Sequence, residues 1–371
     1  MTSMTRPLKT RLPSTNVLLL LLALLGGSGF GVLACTNILV SPGASSDGAA
    51  IYAYNADSGA LYGSIGHYPA RVHAPNATRD IWDWDDSVFL GSIPEAAATL
   101  NVIGNANEAG MVIGETTFGG LPLLDGHGTG GIMDYGNLIW IALQRTRTCG
   151  AAITLIDALV QTHGYASDGE SFSCIDRKEA WVMELIGKGK FEKGAVWVAS
   201  RVPDGMVLAH ANQARTTTFA QDDPANVRYS PDVVSFAKKI GMYPADAPDA
   251  AFDFSAAYDP VTFSGARHGE ARVWDVYRRL LPAGAMDSYT DYARGVNLTN
   301  RMPLFITPAA PLSVPDVMEV MRTRYEGSWF DNRGIHRADV GAGSGHSAYR
   351  WRPLIWNSAA GAGAGAGAVA V

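Results

Sequence analysis

The junction Gly31-Val32-Leu33-Ala34-Cys35-Thr36-Asn37-Ile38-Leu39-Val40 constrains this chain more than any other stretch. An apolar leader runs into a lone cysteine that opens a strand-like segment, so the first sheet must begin at that cysteine. Upstream, Arg6, Lys9 and Arg11 flank an unbroken apolar run over residues 17–25, and Gly26-Gly27-Ser28-Gly29 breaks any helix before the small residue Ala34. That is the pattern of an export signal. Val32 and Ala34 stand third and first before Cys35, which suits a signal peptidase. A cut there would give the mature chain a first residue carrying both a thiol and a free α-amine. Two other readings stay open. An uncleaved anchor is one, although the apolar core falls short of the roughly 20 residues of a membrane span. The other is a lipobox, Val32-Leu33-Ala34-Cys35, in which Cys35 would be lipidated, its amine blocked, and the chain a lipoprotein binding module.

The remainder is long enough for one large or two smaller domains: 371 residues, 47% hydrophobic and only 17% charged. A net charge of −6 and a pI near 5.7, with no basic cluster or stacking platform, argue against nucleic acid as a partner. Nothing after the leader offers a second candidate membrane segment. Three cysteines are too few for a disulfide scaffold. Cys149 and Cys174 could pair, but they read better as buried small hydrophobes. Asn76-Ala77-Thr78 and Asn297-Leu298-Thr299 are glycosylation sequons, relevant only in a eukaryotic host.

Residues 36–40 and 49–55 are short apolar, β-branched or aromatic runs separated by the turn-forming string 41–48, which predicts a hairpin. The pairing puts Cys35 near Asn55 and Asp57. A carboxylate there would orient the α-ammonium or hold a substrate amine; alternatively Asp57 caps the turn leaving the strand. Trp82, Trp84 and the acidic Asp83, Asp85 and Asp86 read as a solvated face with aromatic contact surface. Residues 100–103 and 110–117 predict paired strands around the turn at 105–110. The glycines at 119–120 and 126–131 lack the ending of a phosphate loop. From Asp134, a plausible N-cap, apolar spacing shifts to the helical period, giving two helices over 138–145 and 152–160 punctuated by Gly150 and Gly164.

Strands return at 171–175, 180–186, 195–202 and 206–211, with short connections that mean antiparallel pairing. The last runs into Ala209-His210-Ala211-Asn212-Gln213-Ala214-Arg215, where Asn212 or Gln213 could donate a side-chain N–H to an oxyanion. His210 reads as structural. Helices are predicted over 233–240, 268–281 and 313–325, the last opened by a Ser313/Asp316 capping box. Strands and helices without strict alternation indicate an α+β layered domain. In chemical terms, a thiol needs a base, and an α-amine with a pKa of about 7.7–8.0 can serve at neutral pH.

Cys35-Thr36-Asn37-Ile38-Leu39-Val40, with Ser46-Asp47-Gly48 and Asn55-Ala56-Asp57, resembles the start of the dipeptidase A and secernin-type family of N-terminal-nucleophile cysteine peptidases. Further matches are Gly114-Glu115-Thr116-Thr117-Phe118-Gly119-Gly120, Asp168-Gly169-Glu170-Ser171-Phe172-Ser173, Glu179-Ala180-Trp181, Val202-Pro203-Asp204-Gly205 and the string 209–215. Tyr325-Glu326-Gly327 and Tyr349-Arg350-Trp351-Arg352-Pro353-Leu354 extend the likeness over residues 35–357. The resemblance implies a four-layer αββα sandwich, hydrolysis of dipeptides and short peptides through a thioester on Cys35, and no metal or other cofactor. By likeness to the related amidases that cleave bile-salt conjugates and penicillin V, Asp57 would hold the free amine and Asn212 would help form the oxyanion hole. The chain departs from the pattern twice. Tyr54 stands where the wider group has Arg, and low complexity follows Arg350-Trp351-Arg352-Pro353 where family members continue, which would leave the sandwich incomplete at its C-terminus.

The expected organisation is a signal peptide over 1–34, a peptidase domain over 35–357 and an Ala/Gly tail over 358–371. Expected partners are small peptide substrates, without nucleic acid and without a membrane span after cleavage. The mature protein is expected outside the cell or in the lumen of the secretory or lysosomal pathway. The rival enzymatic reading is a non-peptide linear amidase of the bile-salt hydrolase or penicillin V acylase type.

Overall fold

The computed structural model describes residues 34–57, 65–331 and 367–370. The leader, the segment after Asp57 and the 349–354 motif lie outside the described residues. In chain order the elements that position the site are β1 (Ala34–Val40), β2 (Ile51–Asp57), β3 (Val112–Gly119), α1 (Tyr135–Arg145), α2 (Cys149–His163), β4 (Gly169–Ile175), β5 (Ala180–Gly187), β6 (Ala195–Arg201), β7 (Val207–His210), α3 (Ala271–Leu280) and α4 (Val314–Met321).

Two antiparallel sheets carry the molecule, and the architecture is α+β. The first has five strands in the order Phe305–Ile306, β7, β1, β2, Gly367–Ala370. Its centre is the hairpin expected from the turn formers at 41–48: Cys35 faces Ala56 across the pair and Asn37 faces Tyr54. Four residues of the Ala/Gly stretch expected as a tail form the outer strand on β2. The second sheet has eight strands, running Val227–Tyr229, β6, β5, β4, β3, then Ala106–Asn107, Val102–Ile103 and His67–Tyr68.

Alternation along the strands sorts their side chains into four apolar clusters among the described residues, three of which follow the layers around the site. Ile38, Val40, Ile51 and Ala53 pack with Trp274, Tyr277 and Leu280 of α3 and with Val317 and Val320 of α4. Leu39 and Tyr52, on the other face of the same strands, join Val112, Ile175 and Val182 of the second sheet. The opposite face of that second sheet, through Ile113, Phe172, Trp181 and Met183, meets Leu138, Ile141, Ile153 and Ile156 of α1 and α2. A fully buried aliphatic or aromatic side chain of this kind contributes about 1.5–3 kcal/mol, so these clusters, with the fourth around Ile186, Val198, Phe236 and Phe252, dominate the stability of the domain. Gly114 is required for the close approach of the sheets, since a Cβ there would lie 1.9 Å from the Tyr52 hydroxyl.

The helix starts follow their capping residues. Asp134 accepts from the backbone N–H of Asn137, and Ser313 and Asp316 form the reciprocal box. The second helix differs from the sequence reading: Thr148 caps it through Ala151 N, so it starts at Cys149 and Gly150 lies inside it instead of breaking it. That shift also corrects the reading of the cysteines as unpaired. Cys149 opens α2 directly over β4, its Cα 5.7 Å from that of Cys174, and the two form a disulfide. Cys35 lies outside the disulfide. Among the described residues no helix is long and apolar enough to cross a membrane.

Candidate active site

Cys35 is the second residue of β1, at the end of the strand that borders β3, and it is 4% exposed. Its nitrogen and its sulfur face different partners. The nitrogen donates to Asn212 Oδ1 at 2.8 Å, while Sγ lies 3.9 Å from Glu115 Oε1.

The nitrogen side is built on the segment after β7. Asn212 takes φ +56°, a left-handed conformation that Asn tolerates better than most residues, and this aims its amide at the start of β1. Its Oδ1 also accepts from the Arg272 guanidinium at 2.8 Å, and its Nδ2 donates to Thr117 O. Two donors on the same atom fix the orientation of the amide. The second Nδ2 hydrogen meets no acceptor among the described residues. Arg272 is buried; its Nε donates to His268 O at 2.5 Å, and its two terminal nitrogens reach Cys35 O at 2.6 Å, Thr36 Oγ1 at 3.0 Å, Ala211 O at 3.2 Å and Asn212 Oδ1. It can do so because the turn before α3 presses on the 209–215 segment, where a Cβ on Gly269 would stand 2.5 Å from Ala211 O.

The sulfur side is acidic. Tyr54, at the position where an arginine was the family expectation, donates its hydroxyl to Glu115 Oε1 at 2.6 Å. Burial, then the Glu115 charge, holds the Tyr54 phenol well above its ordinary pKa, so it remains a donor. Glu115 faces Phe172 across the β3–β4 ladder and Thr117 faces Glu170. The two glutamates are thus diagonal neighbours on one face, within reach of each other's side chains. Glu170 takes a hydrogen bond from Thr117 Oγ1 at 2.8 Å. Glu115 Oε2 and Glu170 Oε2 are both buried without a donor, yet the carboxyl groups face each other. A proton held between the two would give each orphan oxygen a partner. Burial raises the Glu115 pKa, and burial followed by the Glu115 charge raises that of Glu170 well above the ordinary value. Of the two, Glu170 is shifted further toward the protonated form. Among the described residues, no lysine, arginine or histidine forms an ion pair with either.

Of the residues singled out from the sequence, Cys35 and Asn212 are in hydrogen-bond contact. Asp57 ends β2 with its Cα opposite Ala34, one position beyond the Cys35–Ala56 pair, and its side chain lies outside what the structure describes. Gln213, the other candidate donor, turns away and donates to Asp259 O at 2.8 Å. His210 is buried between the sheets, bonded to Thr116 Oγ1 at 2.7 Å and Ser173 Oγ at 2.6 Å. Burial, reinforced by the Arg215 charge, lowers its pKa to about 3, so it is a neutral structural group. The acidic stretch 83–86 forms a hairpin end, with Asp83 accepting from Asp85 N and Asp86 N and Trp84 stacked on Trp140. Asp125, His127 and Asp168 form the one grouping among the described residues whose ligand atoms lie close enough to hold a metal ion. It is at least partly exposed and does not include Cys35.

Sequence reading missed Arg272, Glu115 and Glu170 as site residues. Arg272 had a signal: it occupies the helical stripe of Val276 and Leu280, where a charge is out of place unless a partner awaits it. The glutamates carried the same kind of signal, since each interrupts a strand buried along its length.

A family profile described as Peptidase family C69 matches residues 34–360. The chain is 28% identical over 338 residues to a probable dipeptidase of Salmonella dublin, covering 87% of this chain and 72% of that protein. It is 24% identical to a dipeptidase of Bifidobacterium longum, covering 81% and 61%, and 22% identical to dipeptidase A of Lactobacillus helveticus, covering 81% and 63%. The chain thus spans somewhat under two thirds of the length of the last two.

Proposed function

Because the chain belongs to peptidase family C69, we propose that it is a cysteine-type dipeptidase whose nucleophile is Cys35, exposed at the N-terminus by removal of the leader. The observation that carries the reading is the split environment of one residue: Cys35 N on Asn212 Oδ1 at 2.8 Å and Cys35 Sγ beside Glu115. Once the preceding bond is cut, that nitrogen becomes an α-amine held in place by Asn212, next to its own thiol. The amine takes the thiol proton, Sγ attacks the scissile carbonyl, and the ammonium returns the proton to the departing amino group. Water, deprotonated by the same amine, then hydrolyses the thioester and restores the free thiol. Overall, one dipeptide and one water give two amino acids.

Asn212 has two roles in this scheme. Its Oδ1 orients the amine, and its second Nδ2 hydrogen is available to the oxyanion. Arg272 positions both by holding Cys35 O and Asn212 Oδ1, and Asp57, whose Cα ends β2 opposite Ala34, is the residue assigned to hold the free amine. The three apolar clusters support a four-layer αββα sandwich, with helices on the outer face of each sheet. The Cys149–Cys174 disulfide supports export to an oxidising compartment, as does the leader.

The test is the N-terminal sequence and intact mass of the purified protein, together with turnover of a dipeptide panel and of acyl amides by wild type and Cys35→Ser. The reading expects a free Cys35 terminus, dipeptide hydrolysis, and a loss of at least about 1,000-fold in the variant. A retained leader, a lipidated cysteine, or turnover of acyl amides alone overturns it.

A further inference from the structure

The Glu115–Glu170 pair has no part in the mechanism above, and its setting is unusual. Two carboxyl groups, 4% and 0% exposed, meet with both Oε2 atoms lacking a donor, and one proton held between them leaves one negative charge on the pair. A buried charge is ordinarily paired with an opposite one. Here no cationic side chain among the described residues forms an ion pair with it, and the nearby cation Arg272 is directed at Cys35 O and Asn212. The charge nevertheless stands beside the nucleophile, with Tyr54 fixing the rotamer of Glu115.

We infer that Glu115, supported by Glu170 and Tyr54, is the acceptor for the free α-ammonium of the substrate's N-terminal residue, so that the site selects peptides whose scissile bond is the first one. The inference rests on the peptidase reading and names the feature of the substrate that the site recognises.

The geometry is suited to this. In any amino acid the α-nitrogen and the carbonyl carbon are separated by two bonds, about 2.5 Å at standard dimensions. A carbonyl carbon poised for attack lies about 3–3.5 Å from the attacking atom. A carboxylate oxygen 3.9 Å from Sγ can therefore accept a hydrogen bond from that nitrogen while the carbon faces the sulfur. The amine of Cys35 itself does not fill the role, because its nitrogen is on the Asn212 side. An acylated substrate nitrogen carries no charge, and a substrate lacking the nitrogen offers no donor. Either would leave the pair uncompensated in the complex.

The experiment compares kcat/KM of the mature protein for alanyl-alanine, N-acetyl-alanyl-alanine and propionyl-alanine, the last lacking only the α-amine. Wild type should prefer the free-amine peptide over propionyl-alanine by about 100-fold or more, the scale of a buried charged partner. In Glu115→Gln this ratio should fall by a similar factor, while Cys35 is alkylated by iodoacetamide at the wild-type rate. The substrate series in wild type needs no variant to fold. Equal turnover of all three compounds by wild type overturns the inference and leaves the peptidase reading standing. So does a Glu115→Gln protein that loses both substrates in equal measure with slowed alkylation, since the residue would then act on the thiol. If wild type cleaves no dipeptide, the peptidase reading and this inference fall together.

Discussion

Among the described residues, two buried charged constellations near the start of β1 and the 209–215 segment are solved differently. Arg215 and Glu270, 1% and 0% exposed, form an ion pair with Nε–Oε1 at 3.0 Å. The remaining donors of Arg215 reach Ala209 O, Pro303 O and the Tyr277 hydroxyl, and the Tyr292 hydroxyl donates to Glu270. Burial alone would lower the Arg215 pKa, but the Glu270 charge carries it above its ordinary value, so it stays charged. Glu115 and Glu170 have comparable burial, no ion-pair partner and two unmatched oxygens. The first constellation is closed and accounts for itself. The second borders the nucleophile, with Glu115 Oε1 3.9 Å from Cys35 Sγ, and a buried polar group left unmatched is where a ligand is expected to supply what is missing.

The comparison breaks most visibly at Arg215. Arg215→Met leaves a buried Glu270 carboxylate without its cation, which should destabilise the domain by about 3–5 kcal/mol. Urea denaturation measures it, and turnover per folded molecule should remain near that of wild type. An Arg215→Met protein that keeps its stability and loses turnover would remove the distinction between the two regions.

The disulfide comes next. Cys149 and Cys174 close a loop with a sequence separation of 25, worth about 3 kcal/mol on the chain-entropy account. It ties α2 to β4, the strand that carries Glu170. The double variant Cys149→Ala/Cys174→Ala should therefore melt lower while still hydrolysing dipeptides, since neither sulfur is part of the site. Loss of turnover at a temperature where the variant is folded would show that the acidic pair depends on this tether.

Glu115→Gln should do the reverse of Arg215→Met. Removing an uncompensated charge while keeping the shape leaves stability unchanged or raises it by up to about 1 kcal/mol, as a thermal melt would show. A melting point that falls as far as that of Arg215→Met would mean that Glu115 is structural.

How much of this was legible in the sequence follows the range over which each feature is determined. The β1–β2 hairpin, the Asp134 cap and the Ser313/Asp316 box depend on residues a few positions apart, and all three were readable. So was the pairing of a cysteine and a strand start at residue 35. Gly150 was misread as a break because the Thr148 cap just before it went unnoticed. The disulfide was not readable, because it requires knowing that α2 lies on β4. The Glu115–Glu170 pair depends on the register between strands more than 50 positions apart, in which a one-residue slip would put the two glutamates on opposite faces. Arg272 was readable as out of place on its helix, but its target, 237 positions earlier, was not.

The smallest effect concerns pH. Burial holds Asp259 up to about 8, against the lowering effect of its hydrogen bond from Ala214 N, and Glu115 and Glu170 are raised as well. The unfolded chain loses these protons near the ordinary carboxylate value of about 4, whereas the folded chain keeps that of Asp259 to about 8. Between those values unfolding releases protons, so stability falls as pH rises. His210 acts in the opposite direction, but only below its ordinary value of about 6.5, because the folded state keeps it neutral down to about 3. From pH 6.5 upward His127, whose partial burial is outweighed by the Asp125 hydrogen bond and charge that raise its pKa, acts in the same direction as the carboxyl groups. The melting temperature should therefore decline between about pH 6.5 and 8.5, and Asp259→Asn, which keeps an acceptor for Ala214 N, should flatten part of that decline. A wild-type melting temperature that rises across this window would mean that the buried carboxyl groups are compensated after all, and the contrast with Arg215 and Glu270 would lose its basis.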